Sequence, residues 1–214
     1  RSRGLGDVYK RQTQDLAIGI DQIDTILKGH GTISASAVRD TNGTRLDALR
    51  IKTPTSILTA RADLTSAGST AIFDAVFAQA NLIEPRLSGP IHIAGTANQD
   101  TFGSFNVDIS GDAQNTDFTL TAVIKSTDTG RTVNFTTNAA VTDLAAYAAL
   151  SGHDIAGAAK VDVMGTMLDD GSQFHIDIEA QTTDLSLGVR QLDPLLRADG
   201  VLVATIERSS GDQF

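Results

Sequence analysis

The chain has no cysteine and no tryptophan, and aromatic residues make up only 5% of its 214 residues. The absence of cysteine excludes disulfides and thiolate metal sites. The scarcity of rings predicts an apolar surface built mainly from Ala, Ile, Leu and Val, without the large anchors common in enzyme cores. Basic residues are also few, with 17 Lys and Arg against 26 Asp and Glu. This balance argues against nucleic acid, whose phosphates require cationic partners.

Long apolar runs are missing as well. No stretch of the sequence approaches the ~18 consecutive apolar residues of a membrane-spanning helix. Hydrophobic residues nevertheless make up 41% of the chain and charged residues 20%, so its composition is that of a folded protein. The apolar residues must therefore be distributed over many short elements.

The first twelve residues differ from the rest of the chain. They include Arg1, Arg3, Lys10 and Arg11, together with one of the two tyrosines. This segment resembles the translated read-end tails found on unrelated assembled sequences, and we interpret residues 1–12 as a non-native tail. The alternative is a genuine basic terminal segment. Residues 13–214 are then predicted to be a fragment of a repetitive extended β-sheet domain.

The most informative feature is an internal repeat. Residues 15–39 align without a gap to residues 184–208, and nine of the positions are identical, Gly31 and Gly200 among them. In the first copy Leu16, Ile18 and Ile20 alternate with small or polar residues, which predicts a strand with one apolar face. Apolar residues at helical spacing follow and predict a single apolar helical turn between two strands, here called a plug turn. Asp24 or Asp193 can cap this turn. Each unit therefore reads as strand, plug turn and strand.

The remaining sequence continues this pattern. A weaker repeat relates residues 91–96 to residues 161–166, and Asn42-Gly43 and Asp170-Gly171 are typical hairpin turns. Further strands are predicted at residues 56–64, 72–80, 117–125 and 131–137, with plug turns at residues 82–87 and 144–150. Because most connections have hairpin length, we expect sequential antiparallel strands. The predicted fold class is all-β, an elongated antiparallel sheet with short helical plug turns.

The two long repeats resemble the TamB family, within the AsmA-like group of bacterial envelope proteins. The segment 191–197 (Gln-Leu-Asp-Pro-Leu-Leu-Arg), followed by a glycine-led strand, is the most typical, and residues 87–96 add to the resemblance. The resemblance implies a sheet curled into an open trough with an apolar lining. It also implies a periplasmic location, as an internal fragment of an inner-membrane-anchored component of the translocation and assembly module.

The function implied by this resemblance is phospholipid passage between the two membranes and outer-membrane protein assembly. The partners would be phospholipid acyl chains and, through a region not present here, an outer-membrane barrel protein. The residues on the apolar side of each predicted strand are expected to line the lipid groove. These residues are Leu16, Ile18, Ile20, Ile33, Ile91, Ile93, Phe105, Val107, Ile109, Phe118, Leu120, Val161, Val163, Ile176, Ile178, Leu185 and Leu187.

Motifs for catalysis are absent from the sequence, and we predict neither an enzyme nor a cofactor or metal site. None of the histidines His30, His92, His153 and His175 has a second ligand at metal-binding spacing. His92 and His175 lie on the polar phase of strands, where solvent exposure is expected, whereas His30 and His153 are expected in loops. Two other readings stay open: a closed β-solenoid with a structural or adhesive role, and a β-rich enzyme acting on polysaccharides.

Overall fold

A computed structural model describes residues 5–14, 29–65, 67–100, 102–127 and 130–209. Within them the chain is all-β, as predicted, and consists of two units, residues 1–102 and 103–214. The strands of unit 1 are β1 (Leu5–Gln14), β2 (His30–Arg39), β3 (Gly43–Lys52), β4 (Ser56–Thr65), β5 (Gly68–Phe77) and β6 (Ile91–Gln99). Those of unit 2 are β7 (Phe105–Ala113), β8 (Thr116–Thr127), β9 (Gly130–Val141), β10 (Ala156–Leu168), β11 (Phe174–Ser186) and β12 (Gly200–Arg208).

The strand order in each unit follows the chain, and the pairs are antiparallel. This confirms the order predicted from the short connections. The β2–β3 hairpin illustrates the cause, because Asp40 Oδ1 accepts hydrogen bonds from the backbone N–H groups of Asn42 (2.8 Å) and Gly43 (3.2 Å). A Cβ atom on Gly43 would lie 2.1 Å from the carbonyl oxygen of Leu64, so no larger residue fits there.

The predicted curl is wrong: the sheet of each unit is open and uncurled. Strong curvature requires β-bulges or glycine kinks at repeated positions. Most ladders here keep one register from end to end, as the β4–β5, β5–β6, β7–β8 and β8–β9 pairs do. The register shifts that do occur involve β2–β3, β3–β4 and the start of β10.

Each sheet is a single layer. In the described residues the substantial strand contacts are all between hydrogen-bonded neighbours, so no second sheet or long helix packs on either unit. Among the residues that the structure describes, the buried ones are Thr53, Ser56, Ala75, Ala80 and Ile91 in unit 1 and Ala122, Ala159, Thr182 and Leu185 in unit 2. A closed sandwich would bury many large side chains, and neither unit does. The described parts of the chain thus contain no sealed hydrophobic core.

Short helical turns follow three of the strands. A 3₁₀ turn at Leu144–Tyr147 leads into helix α1 (Ala148–Ser151), which confirms the predicted plug at residues 144–150. The plug predicted at residues 82–87 instead begins earlier, with a 3₁₀ turn at Ala80–Leu82 in which Ala80 is buried. In unit 2 the hydroxyl of Tyr147 lies 2.5 Å from that of Thr116, which anchors the first plug to the start of β8.

The last plug is helix α2 (Asp193–Leu196), and Asp193 does not cap it as expected. Leu192 occupies the N-cap position, with no side-chain cap bond. The Asp193 carboxylate reaches back and accepts hydrogen bonds from the backbone N–H groups of Leu187 (2.8 Å) and Val189 (3.4 Å). The N–H of Leu187 is the main cause of the lowered pKa of this carboxyl, with a smaller contribution from Arg197. Asp193 therefore stabilises the exit from β11 rather than the helix.

We expect the Asp193→Asn variant to be less stable than the original chain at pH 7, by an amount that disappears in acid. The folded-state pKa is below the unfolded value of about 3.9, so the carboxylate contributes stability above that value. The contribution is lost as the pH falls through the folded pKa. Urea unfolding at several pH values would measure the difference. The control is Asp108→Asn, an exposed position opposite Thr121; equal pH profiles for the two variants would contradict the assignment.

The long repeat is reproduced in the strand geometry. Leu5 pairs with Arg39 in β1–β2, and Phe174 pairs with Arg208 in β11–β12, so the two ladders share one register at the spacing of the repeat. A Cβ atom on Gly31 would lie 3.0 Å from Thr13 Oγ1, and one on Gly200 would lie 3.0 Å from Thr182 Oγ1. β1 includes most of the segment interpreted as a non-native tail, and that interpretation stays a prediction.

Candidate functional site

The main surface feature of unit 2 is an apolar face that crosses all six strands. Residues directly opposite in an antiparallel ladder point to the same side, and successive residues of a strand alternate between sides. One row runs through Val107, Ala122, Phe135, Gly165, Ile176 and Ile206. Together with parallel rows, the apolar face of unit 2 comprises Phe105, Val107, Ile109, Phe118, Leu120, Ala122, Ile124, Val133, Phe135, Val161, Val163, Phe174, Ile176, Ile178, Leu202 and Ile206.

Nine of the residues predicted to line a lipid groove lie on this face. They are Phe105, Val107, Ile109, Phe118, Leu120, Val161, Val163, Ile176 and Ile178. Phe105 is 39% exposed, and the other eight are half-buried because neighbouring side chains on the same face cover part of each one. The face is thus partly accessible to solvent, although Ala122 within it is buried.

Unit 1 has an apolar face of the same kind. Ile33 of β2 and Ile93 of β6 share a row with Ile51, Leu58 and Ala75. The side chains of Ile33 and Ile93 are half-buried. On the adjoining strand Arg11 stands opposite Ile33, so a charged residue interrupts this row at its β1 end.

The remaining predicted lining residues have other placements. Leu16, Ile18 and Ile20 lie outside the described residues. Ile91 is buried at the start of β6 (8% exposed), and Leu185 is buried near the end of β11 (4% exposed). Both therefore pack against protein and offer no open surface. Leu187 is half-buried in the turn after β11.

Pairs of phenylalanine and glycine on opposite strands are a feature that sequence reasoning missed. Phe135 faces Gly165, Phe118 faces Gly111, and in unit 1 Phe73 faces Gly95. The ring of Phe135 lies so close to Gly165 that a Cβ atom there would be 2.7 Å from Cζ. An aromatic ring laid over a cross-strand glycine covers backbone that would otherwise be exposed. The sequence did contain one signal for these pairs, the Gly-Thr that recurs in residues 91–96 and 161–166 and includes Gly95 and Gly165.

The opposite side of unit 2 carries hydrogen-bonded polar ladders. The Thr205 hydroxyl donates to Asp177 at 2.7 Å and is the main cause of the lowered pKa of that carboxyl. His175 lies 3.2 Å from Asp177 and 3.5 Å from Glu207, and in unit 1 His92 lies 2.8 Å from Asp74. His92 and His175 are on the polar side as predicted, each beside a carboxylate. The sheet of unit 2 therefore has one apolar side and one mainly polar side.

The other two histidines, His30 and His153, lie at a strand start and in a loop. His30 was expected in a loop, but it is the first residue of β2, whereas His153 does lie in a loop after α1. Among the described residues no group of three His, Asp or Glu side chains is arranged to hold a metal ion. No helix in the described part of the chain is long and apolar enough to cross a membrane.

Several surface depressions lie on the polar side of the sheet in each unit. One in unit 2 is bordered by Thr121, Thr136, Met164 and Asp177, which share a polar row. In unit 1 a smaller one is bordered by Arg50, Thr59 and Asp74, also one polar row. The apolar face of unit 2 lies on the other side of the sheet from these depressions, and the role of its residues in lining a lipid groove stays a prediction.

Comparisons with protein-family models, with curated proteins and with solved structures give no match. The resemblance to the TamB family thus rests on the residues quoted for it. The candidate site is the open apolar face itself.

Proposed function

We propose that the apolar face of unit 2 binds phospholipid acyl chains, as part of a scaffold that carries lipid across the periplasm. The observation that supports this proposal is an aliphatic face six strands wide with no protein layer over it. Contiguous apolar surface of this extent is rare on soluble monomers and marks a binding surface. A single-layer sheet with one such face also gains stability when that face is covered.

The chemistry of the face suits acyl chains. Most of its residues are Val, Ile, Leu and Ala. Most ionisable groups of the strands stand on the other side of the sheet, and the exceptions Arg131 and Arg208 lie at strand ends. Removing a sixteen-carbon tail from water gains roughly 12 kcal/mol, at about 0.8 kcal/mol per methylene. Such a ligand requires no polar anchor, so the lack of converging donors and acceptors on this face fits a surface along which chains slide.

The resemblance to the TamB family extends the proposal to the cellular setting. It supports a periplasmic location, as part of an inner-membrane-anchored protein that would also serve outer-membrane protein assembly. Docking to an outer-membrane barrel partner would use a region outside this chain. The alternative of a structural or adhesive solenoid requires the apolar side chains to be enclosed by successive coils, and the open single layers do not favour it.

Photocrosslinking to lipid tests the proposal. A photoreactive amino acid at Ile176, incubated with vesicles of phosphatidylethanolamine and phosphatidylglycerol and irradiated, is expected to give a lipid adduct detectable by mass spectrometry. The same label at Val107 should behave alike, because the two positions share one row.

Matched controls stand one residue away on the other side of the sheet. Labels at Asp177 and Asp108 are expected to yield at least about tenfold less adduct, since alternate residues face opposite sides. Equal lipid adducts at Ile176 and Asp177, or adducts at Ile176 with protein alone, would overturn the proposal.

A further inference from the structure

Among the described strand residues of unit 2, the charged residues on the apolar side are two arginines at the same end of the sheet. Arg208 of β12 stands opposite Phe174, and Arg131 of β9 stands opposite Ser126, one alternate position beyond Ile124. β7, β9 and β11 begin at this end, here called the arginine end, and β8, β10 and β12 finish there. The outermost row at the other end is uncharged and consists of Ala113, Thr116, Val141, Ala159, Thr182 and Gly200. The apolar side therefore has a direction, with positive charge at one end.

Both guanidinium groups can accept a ligand. Arg131 and Arg208 are exposed, and among the described residues no ion pair joins either one to a carboxylate. Asp169 lies beside Arg131, but its Oδ1 accepts a hydrogen bond from the backbone N–H at 3.5 Å. On the polar side of the described strands, carboxylates outnumber the lysines Lys125 and Lys160. An anionic group is therefore attracted to the arginine end and repelled by the opposite side of the sheet.

The strands are long enough to hold an acyl chain that starts at the arginine end. On β12 Leu202 lies six residues before Arg208 on the same side, which is about 20 Å at roughly 3.4 Å per residue. One layer of acyl chains is about 15 Å deep, half of the hydrocarbon core of a bilayer. The positions that follow Arg131 on this side of β9 are Val133, Phe135, Thr137 and Ala139. A chain laid along the strands thus stays over mainly apolar residues for its whole length.

We propose that the arginine end binds the phosphate of phospholipids, so that their acyl chains lie along the strands and point away from Arg131 and Arg208. Guanidinium groups suit this role because they bind phosphate through two parallel hydrogen bonds. The two arginines are three strands apart, about 14 Å at the usual strand spacing, so each one serves a separate headgroup. The inference rests on the proposed lipid binding and deepens it, because the face then orients the lipid as well as removing its tails from water.

Lipids with a photoreactive group at a known depth test this orientation. The full chain is incubated with phosphatidylglycerol vesicles in which some acyl chains carry a diazirine, either next to the ester or at the terminal carbon. After irradiation, peptide mass spectrometry locates the adducts. The group next to the ester is expected to label the row of Val133 and Phe174, and the terminal group the row of Ala139 and Leu202. Because the rows are about 20 Å apart, each probe should favour its own row by at least about fivefold.

The outcomes separate the orientation from lipid binding itself. Equal labelling of both rows by the two probes, or the reverse pattern, would overturn the orientation and leave lipid binding by the face intact. If neither probe labelled this side of the sheet, the proposed lipid binding would be wrong, and the orientation with it.

A double charge variant tests the headgroup contact. Arg131→Gln combined with Arg208→Gln is expected to weaken binding to phosphatidylglycerol vesicles by about three- to tenfold, the size of two exposed charge pairs. The matched control is Lys125→Gln combined with Lys160→Gln, which makes the same charge change on the polar side and should have an effect of less than about twofold.

Two results would contradict the headgroup contact. If the two double variants weakened binding equally, general attraction between charges would account for it, and the arginine end would have no special role. If the arginine variant bound as tightly as the original chain, with the diazirine label still on the apolar side, lipid binding would stand without this contact.

Discussion

Replacing Leu185 by alanine is expected to lower the free energy of unfolding by about 2–5 kcal/mol, the cost of truncating a buried leucine. Leu185 is only 4% exposed and is the largest of the buried side chains in the described part of unit 2. It lies near the end of β11, the strand that contacts helix α2. Because so few side chains are buried among the described residues, loss of this one removes a large share of the buried apolar surface of unit 2. Urea denaturation followed by circular dichroism would measure the change.

Leu195→Ala is the matched control for this prediction. Leu195 belongs to α2 itself but is 76% exposed, so the same truncation should change the free energy of unfolding by no more than about 0.5 kcal/mol. If the two variants were equally stable, α2 would not be packed against the sheet as described. If Leu195→Ala were the more damaging, the exposed side of α2 would have a binding partner.

Gly165→Val is expected to destabilise the chain by about 1–3 kcal/mol, the usual cost of forcing extra carbon into occupied space. A Cβ atom at this position would lie 2.7 Å from Phe135 Cζ and 3.0 Å from the carbonyl oxygen of His175. The phenylalanine ring can turn away, but the carbonyl belongs to the backbone of β11. Valine favours strands elsewhere, so its intrinsic propensity alone predicts the opposite sign. Chemical denaturation distinguishes the two expectations.

A double-mutant cycle with Phe135→Leu identifies the cause. If the ring over Gly165 is responsible, Gly165→Val should cost less in the Phe135→Leu background, with a coupling energy of about 0.5–3 kcal/mol. Strict additivity of the two substitutions would contradict the proposed contact. The same reasoning applies to Phe73 and Gly95 in unit 1, which are opposed in the same way.

The candidate site was predictable in part. Strict alternation in β7, β8, β10 and β11 identified nine residues that the structure brings onto one face, because the two-residue period of a strand depends on local backbone geometry alone. Leu185 and Ile91 show where alternation stops being informative. Both occupy apolar positions near strand ends and are buried, and a local pattern does not reveal which side chains another segment covers.

The sequence by itself determined most of the strands other than β1, their antiparallel order, most of the plug turns and which side of each predicted strand is apolar. These follow from side-chain periodicity and from short connections. Only the tertiary structure decided that the sheets are uncurled single layers, that the ring of Phe135 covers Gly165, and that Asp193 binds the exit of β11. These features depend on register and on contacts between residues distant in the chain. The energies of such contacts are set by the neighbouring strand and not by the local pattern.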